Sequence, residues 1–440
     1  MKNRLLATTW LVLAICVPLP PARAQPSISA SQLKEDIAFI RQTIARTHPD
    51  LGFSADPGAI EATLDAIGQA APASMTRDEA WQRLARLNPV FADAHLFVGY
   101  ADWRADSKAH LASGGTLFPY EVDLAQDGRL FVRAQLGGDA TPLGGAHILA
   151  IDGIPAGTVV AALSAKVHGD TPLFRARLLA QRWWLYHWKV YGAGAHYRMT
   201  LKRGQEQWTQ DVPASARVPA ILREDGAFER QFGFVSEPAC AAVLTVGSFD
   251  DAFKERFLAL TKTAFARMRE EGTSTLLIDI SANGGGDDAL WLDGLMPYLA
   301  TRPYRTGSAY VKKTADGQVV EGEIETWRQP QPDNPLRFTG KVVLMLGPST
   351  YSSAVLFANV MHDFGFATLS GSGNAARRTQ SGGIRRFILP HSGLALWVPR
   401  FVLAPPAGSP RDALLAPDVP VDQLQLPACA RQLISQDQLQ

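Results

Sequence analysis

A short apolar run ends in a turn of three glycines at Leu276-Leu277-Ile278-Asp279-Ile280-Ser281-Ala282-Asn283-Gly284-Gly285-Gly286. A second apolar run ends in a hydroxyl-rich turn at Val342-Val343-Leu344-Met345-Leu346-Gly347-Pro348-Ser349-Thr350-Tyr351-Ser352-Ser353. Ala241–Val246 is a third such run, and each of the three is followed by enough chain for a helix. Strands alternating with helices in this way are typical of a largely parallel sheet. We therefore predict an α/β domain over residues 226–430.

The chain before this domain changes from a helical to a β-rich pattern at about residue 100. Apolar residues between Ser31 and Leu87 recur every three or four positions, which indicates helices, and Thr76 with Glu79 three residues later predicts a capped helix start. We predict a helical region over residues 25–100. Residues 101–225 are predicted to be β-rich, with a separate module at about 143–211.

The first 24 residues have the pattern of a secretory signal peptide. Lys2 and Arg4 precede an apolar stretch, and Ala22-Arg23-Ala24 is a small-x-small cleavage site. Prolines from Pro18 onward cut the apolar stretch short of the roughly 20 residues that a membrane span needs. We expect a secreted, periplasmic protein that begins at Gln25 and has no stable membrane span after cleavage. The alternatives are an uncleaved membrane anchor and a lipoprotein, because Leu13-Ala14-Ile15-Cys16 resembles a lipoprotein box.

The composition narrows the class of protein. The 440 residues are 46% hydrophobic and 19% charged, which is typical of a chain that folds around a large core. The chain has 43 basic and 42 acidic side chains, so its net charge gives no reason to expect a nucleic-acid partner. Two cysteines remain after signal cleavage, Cys240 and Cys429, and they predict either one disulfide or two separate buried thiols.

Both turns have features that suit a catalytic or anion-binding site. Glycines let a backbone bend sharply and point several N–H groups at an anion or oxyanion. The alternatives are a purely structural turn and a phosphate loop, and the absence of a Gly-Lys-Ser/Thr sequence disfavours the second. Ser352 stands where a strand passes into a helix, so its hydroxyl is expected beside free backbone N–H groups, where it is either a nucleophile or a helix cap.

Taken together, these motifs resemble a known family. Leu277–Gly286 is similar to the "DxRxNGGG" segment of the tail-specific, or C-terminal processing, serine peptidases, with Ser281 in place of the Arg. Thr350–Ala354 resembles the nucleophile segment of that family. Phe91-Ala92-Asp93-Ala94-His95 resembles the "DGH" element of its tricorn-like and retinoid-binding-protein-like branches. Gly144–Pro155 looks like the opening of a PDZ domain, with a plain β-hairpin as the alternative.

The resemblance implies a fold and a set of roles. The fold would be α/β, with a helical N-terminal region, a PDZ-like middle module and a catalytic domain of the ClpP/crotonase-like type. Ser352 would be the nucleophile, and the oxyanion hole would combine the Ser353 N–H with an N–H of Gly285 or Gly286. No metal or organic cofactor is implied.

One departure from the family pattern decides which residue is the expected general base. Arg377 stands where the processing branch has a catalytic Lys, and an arginine stays protonated near neutral pH. His95 is then the expected base, with a structural His–Asp pair as the alternative. Asp412 is a tentative orienting acid, one position away from the family's Glu, and its alternative is a surface turn. Val355, where many members carry Glu, is a further departure.

The sequence therefore predicts a serine peptidase that acts on peptide or protein substrates. Two alternatives are a catalytically impaired member that binds peptides or apolar ligands in the same cleft, and a hydrolase acting on a non-peptide ester or a cell-wall peptide.

Overall fold

The computed structural model describes residues 27–224 and 226–433. The predicted signal peptide lies outside the described residues. Within the described part of the chain, no helix combines the length and the apolar character that crossing a membrane requires.

The N-terminal region is helical, as predicted. A capping box at Ser29 and Gln32 begins the first helix, and the predicted box of Thr76 and Glu79 begins the third. Two short strands, β1 and β2, pair with each other ahead of these two helices. The elements are β1 (Ile28–Ser29), α1 (Ala30–Thr47), α2 (Pro57–Gln69), β2 (Ser74–Met75), α3 (Arg77–Leu84) and α4 (Asn88–Phe91).

The middle region is an antiparallel sheet in the order β4-β5-β6-β8-β9, with β7 beside β6 and helices inserted between β7 and β8. One hydrophobic core continues from the N-terminal helices into this sheet, and Trp183 and Trp184 are fully buried in it. The elements are β3 (Phe97–Tyr100), α5 (Trp103–Ala112), β4 (Tyr120–Leu124), β5 (Leu130–Gln135), β6 (His147–Ile151), β7 (Ile154–Pro155), α6 (Ala156–Ser164), α7 (Pro172–Gln181), α8 (Trp183–Tyr191), β8 (His196–Arg203), β9 (Glu206–Pro213), α9 (Ala220–Glu224) and α10 (Phe228–Gln231).

The C-terminal region contains the predicted parallel sheet. Its order is β10-β11-β12-β15-β16, and every neighbouring pair after β10-β11 is parallel. The elements are β10 (Phe232–Glu237), β11 (Ala241–Val246), α11 (Lys254–Glu271), β12 (Thr275–Asp279), α12 (Asp288–Gly294), α13 (Met296–Leu299), β13 (Ala309–Lys313), β14 (Val319–Glu323), β15 (Lys341–Leu346), α14 (Ser353–Asp363), β16 (Thr368–Gly371), β17 (Gln380–Gly382), β18 (Arg385–Ile388), β19 (Leu394–Val398), β20 (Phe401–Leu403) and α15 (Ala428–Leu433).

Both faces of the parallel sheet are covered, which explains its nearly continuous apolar strands. Helices such as α11 and α14 pack on one face. The C-terminal segment lies on the other face, where Leu424, Leu426 and Ala430 contact the strands. A disulfide joins Cys429 of this segment to Cys240 ahead of β11, with the two Cα atoms 6.6 Å apart.

One strand of the N-terminal half completes a sheet of the C-terminal half. β3 pairs antiparallel with β19, so that Phe97 lies opposite Trp397 and Tyr100 opposite Leu394. Because His95 lies two residues before β3, this pairing brings the predicted base to the C-terminal region.

Candidate active site

Ser352 lies at the carboxyl end of the parallel sheet, between β15 and α14. Its backbone has φ 55° and ψ −126°, a conformation that is costly for a residue with a Cβ. The turn places Ser352 immediately before the first residue of α14, where backbone N–H groups and the helix dipole make the environment positive. The strained turn therefore holds the hydroxyl at a site suited to developing negative charge.

The glycine turn after β12 packs directly against Ser352. A Cβ on Gly285, whose φ is +100°, would lie 2.6 Å from the Ser352 Cβ and 3.0 Å from the Ser353 N. A Cβ on Gly286, whose φ is +142°, would lie 2.1 Å from the Phe249 carbonyl oxygen. Only glycine fits at either position, because both the backbone conformation and the space exclude a side chain.

The backbone N–H groups of the two turns differ in what they bind. The Gly285 N–H donates to Asn283 Oδ1 at 2.8 Å, and the Ser352 N–H donates to Gln380 Oε1 at 3.1 Å. Within the described residues, the N–H groups of Gly286 and Ser353 have no hydrogen-bond acceptor. Of the three predicted oxyanion-hole residues, two therefore have an N–H available to a ligand.

His95 is held by a buried hydroxyl and a buried carboxylate. Its side chain is buried, and its Nδ1 lies 3.0 Å from Ser381 Oγ, which in turn donates to Asp93 Oδ1 at 3.0 Å. Since a serine hydroxyl has one hydrogen, Ser381 Oγ must accept from Nδ1–H. The neutral ring consequently carries its proton on Nδ1 and its lone pair on Nε2.

A network of hydrogen bonds fixes the loop that carries His95. Asp170 accepts from the Tyr351 hydroxyl at 2.7 Å and from the Arg377 backbone N–H at 3.0 Å. The Arg377 guanidinium donates to the Ala92 carbonyl at 2.7 Å, next to the His95 loop. Arg377 therefore anchors this loop.

Burial governs the ionisation of these groups. Burial lowers the pKa of His95, and the Asp93 carboxylate opposes that shift. Burial and the charge of Asp93 raise the pKa of Asp170 to about 6. Burial also raises the pKa of Tyr351 well above its ordinary value, so its hydroxyl remains a hydrogen-bond donor.

The structure brings most of the predicted residues to one cleft. His95, Ser352, Gly285 and Gly286 all line a cleft of about 850 Å³. Ser353 contributes its backbone, because its hydroxyl is bonded to Asp288 and lies 3.0 Å from the Trp291 indole nitrogen.

Asp412 is not at this site. It is exposed, in a turn between β20 and α15, and His95 Nδ1 bonds to Ser381 instead. The structure has a surface turn at this position, and Asp412 is not among the residues that line the cleft.

Sequence reasoning missed Ser381, Gln380 and Asp170. Each is an ordinary polar residue outside the family motifs, and each reaches the site only through tertiary contacts. Asp93 carried a signal, since it lies two residues before His95 in the same motif and accepts the His95 backbone N–H at 2.7 Å.

Known proteins with similar sequence or fold bear on this geometry. The model of peptidase family S41 matches residues 241–421. No curated protein sequence matches the chain. The crystal structure of mature CPAF is similar with a TM-score of 0.65 at 13% identity, over 89% of this chain and 93% of that one.

Two further structures are similar. Mature CPAF complexed with lactacystin has a TM-score of 0.64 at 13% identity, over 89% of this chain and 94% of that one. The photosystem II D1 C-terminal processing protease has a TM-score of 0.49 at 14% identity, over 91% and 96%. At 13% identity the CPAF structures establish a shared fold. Residues 241–421, which contain both the glycine turn and Ser352, match peptidase family S41, and the fold is shared with the CPAF structures.

Proposed function

We propose that this protein is a secreted serine peptidase in which Ser352 is the nucleophile and His95 the general base. The observation that carries the proposal is the arrangement of the His95 ring. Its Nδ1 is bonded to Ser381, so its lone pair is on Nε2, in a cleft that Ser352 also lines. A base of this kind takes a hydroxyl proton and later returns it to the leaving group.

The reaction follows from these positions. Ser352 Oγ attacks the substrate carbonyl carbon while its proton passes to His95 Nε2. The carbonyl oxygen becomes an oxyanion, which the N–H groups of Gly286 and Ser353 stabilise. The tetrahedral intermediate collapses, the C–N bond breaks, and His95 gives the proton to the leaving amine. Water then hydrolyses the acyl-enzyme by the same steps, which regenerates the serine.

Asp93 acts as the orienting acid through Ser381. It accepts from Ser381 Oγ, and its negative charge favours the imidazolium that forms during attack. This relay takes the place that the family resemblance gave to Asp412.

Substitution of Ser352 tests the proposal. Ser352→Ala should abolish peptide cleavage and labelling by a fluorophosphonate, which reacts with activated serines. Ser349→Ala is the matched control, since Ser349 lines the same cleft three residues away and should leave labelling intact. Cleavage by Ser352→Ala at the wild-type rate would disprove the assignment. Cleavage of neither peptides nor esters by the wild type, without labelling, would favour an impaired, ligand-binding member.

We also propose export to the periplasm with cleavage before Gln25. The charged, apolar and small-residue segments of the first 24 residues support it, and a disulfide between Cys240 and Cys429 suits an oxidising compartment. N-terminal sequencing of the periplasmic protein should give Gln25 as the first residue, whereas recovery of full-length protein in the cytoplasm would contradict export.

A further inference from the structure

A second, smaller pocket adjoins the cleft that holds Ser352. It has a volume of about 250 Å³ and shares Arg104, His168 and Arg182 with that cleft. Pockets for drug-sized ligands usually span roughly 300 to 1,000 Å³. A pocket of this size, with three lining residues in common with the cleft, suits one side chain of a longer molecule that lies in the cleft.

Aromatic rings from four parts of the chain line this pocket. They come from α3, from the β3–α5 segment, from α8 and from β19. These aromatic residues are Trp81, Phe97, Tyr100, Trp103, Tyr186 and Trp397.

The rings are fixed by contacts with one another. The Trp81 ring centroid lies 5.3 Å from that of Tyr100 and 5.9 Å from that of Tyr186. The Phe97 ring stacks on His168 at 4.0 Å and on Trp397 at 5.5 Å. Because these contacts hold the rings in place, little ordering of the walls opposes binding.

The charges around the pocket face the aromatic rings. The Arg182 guanidinium lies 4.7 Å from the Trp103 centroid, and the Lys189 ammonium lies 4.5 Å from the Tyr100 centroid. Lys189 also pairs with Asp78, which is outside the pocket. Burial lowers the pKa of His168 well below its ordinary value, so His168 presents a neutral ring. The lining is therefore mainly aromatic, with cations held against ring faces.

We propose that this aromatic pocket, defined by the six rings above, is the specificity pocket of the peptidase and takes an aromatic side chain of the peptide substrate. The inference rests on the proposed function, because it needs the peptide to lie in the Ser352 cleft. An aromatic side chain fits best, since ring edges and faces gain from aromatic neighbours beyond the area that they bury. A cationic side chain would be repelled by Arg104, Arg182 and Lys189, and an anionic one is the rival that the Asp peptides below test.

Peptide cleavage tests the preference. A set of peptides that place Phe, Leu, Ala or Asp at each position around the scissile bond should show one position where Phe exceeds Ala at least 10-fold in kcat/KM. Equal rates for all four residues at every position, or a preference for Asp over Phe, would overturn the proposal.

A substitution that fills the pocket tests whether the preference for Phe arises there. Gly99 lies in β3 and lines the pocket, and a Cβ there would meet only the Phe97 ring, at 3.3 and 3.4 Å. Gly99→Leu should lower kcat/KM at least 10-fold for the Phe peptide and less than 3-fold for the Ala peptide. Gly157→Leu is the matched control, because a Cβ at Gly157 meets nothing within 4 Å and the residue is remote from the pocket. Equal effects on both peptides would contradict the proposal.

Binding without turnover separates this proposal from the catalytic one. The fluorescence of Ser352→Ala protein should change saturably with N-acetylphenylalanine amide and not with N-acetylalanine amide, because three tryptophans line the pocket. Adding Gly99→Leu, or Trp103→Ala if the first variant does not fold, should remove the response. A response that persists in the folded double variants, or none in Ser352→Ala itself, would overturn the pocket while leaving Ser352 catalysis to its own test.

Discussion

Ser381 shows how a single residue far from the family motifs completes the site. Its hydroxyl connects His95 Nδ1 to Asp93, two contacts of 3.0 Å each. Ser381→Ala should let the ring rotate or change tautomer, so we expect kcat to fall by about 10- to 100-fold with little change in KM. That loss is smaller than the roughly 10⁴-fold cost of mutating the acid of a serine triad, because Asp93 remains.

Ser381→Thr is the matched control for this prediction. Threonine keeps the hydroxyl and should restore most of the wild-type kcat, whereas a merely structural role would make Ala the milder change. Steady-state kinetics on one peptide checks both variants. A Ser381→Ala enzyme with wild-type kcat would show that the relay is not needed.

The pH dependence also belongs to a single residue. In the proposed mechanism the neutral imidazole is the base, so activity should fall as the pH decreases through the pKa of His95. Burial lowers that pKa, which places the acidic limb of the kcat/KM profile below pH 6.5. A pH–rate profile checks this, and a limb centred above 6.5 would mean that the charge of Asp93 outweighs burial.

At the scale of elements, the candidate active site is a contact between two turns, which follow the parallel strands β12 and β15. Gly285→Ala should push the turns apart, because the new Cβ would lie 2.6 Å from the Ser352 Cβ in a backbone conformation that alanine rarely adopts. We expect a loss of about 1 to 3 kcal/mol in the free energy of unfolding, as for other strained residues, together with at least a 10-fold slower labelling of Ser352.

Gly284→Ala is the control for that prediction, since a Cβ at Gly284 meets nothing within 4 Å. Thermal denaturation and fluorophosphonate labelling of both variants give the comparison. Equal behaviour of the two variants would show that the close approach of the turns is not required.

The pattern of elements explains which parts of the site were predictable. Strand, turn and helix follow one another locally, so the positions of Ser352 and of the glycine turn could be predicted from residues that lie next to each other. The partner of His95 lies 286 residues further along the chain. That contact depends on β3 pairing with β19, which no local pattern indicates. The prediction of Asp412 as the orienting acid rests on motif similarity, which does not show that its turn is exposed.

At the scale of the whole molecule, the disulfide ties the C-terminal segment to the face of the parallel sheet opposite α14. The bond joins Cys240 to Cys429, which are 189 positions apart in the chain. In the chain-entropy account a loop of that size contributes about 5 kcal/mol to stability. Cys429→Ser should therefore lower the denaturation midpoint in guanidinium chloride.

The double variant provides the control. Cys240→Ser with Cys429→Ser should be about as stable as either single variant, because each change removes the same bond. A single variant with wild-type stability, or free thiols in the native wild type, would contradict a structural role for the disulfide.

The proposal that His95 activates Ser352 is tested most directly by the rate at which a fluorophosphonate labels Ser352 in wild type and in His95→Gln, followed by mass spectrometry. We predict label on Ser352 alone, forming at least 100-fold more slowly in the variant, since general-base assistance contributes roughly 10² to 10⁴-fold. Equal labelling rates in the two proteins, or label on a different residue, would contradict the account.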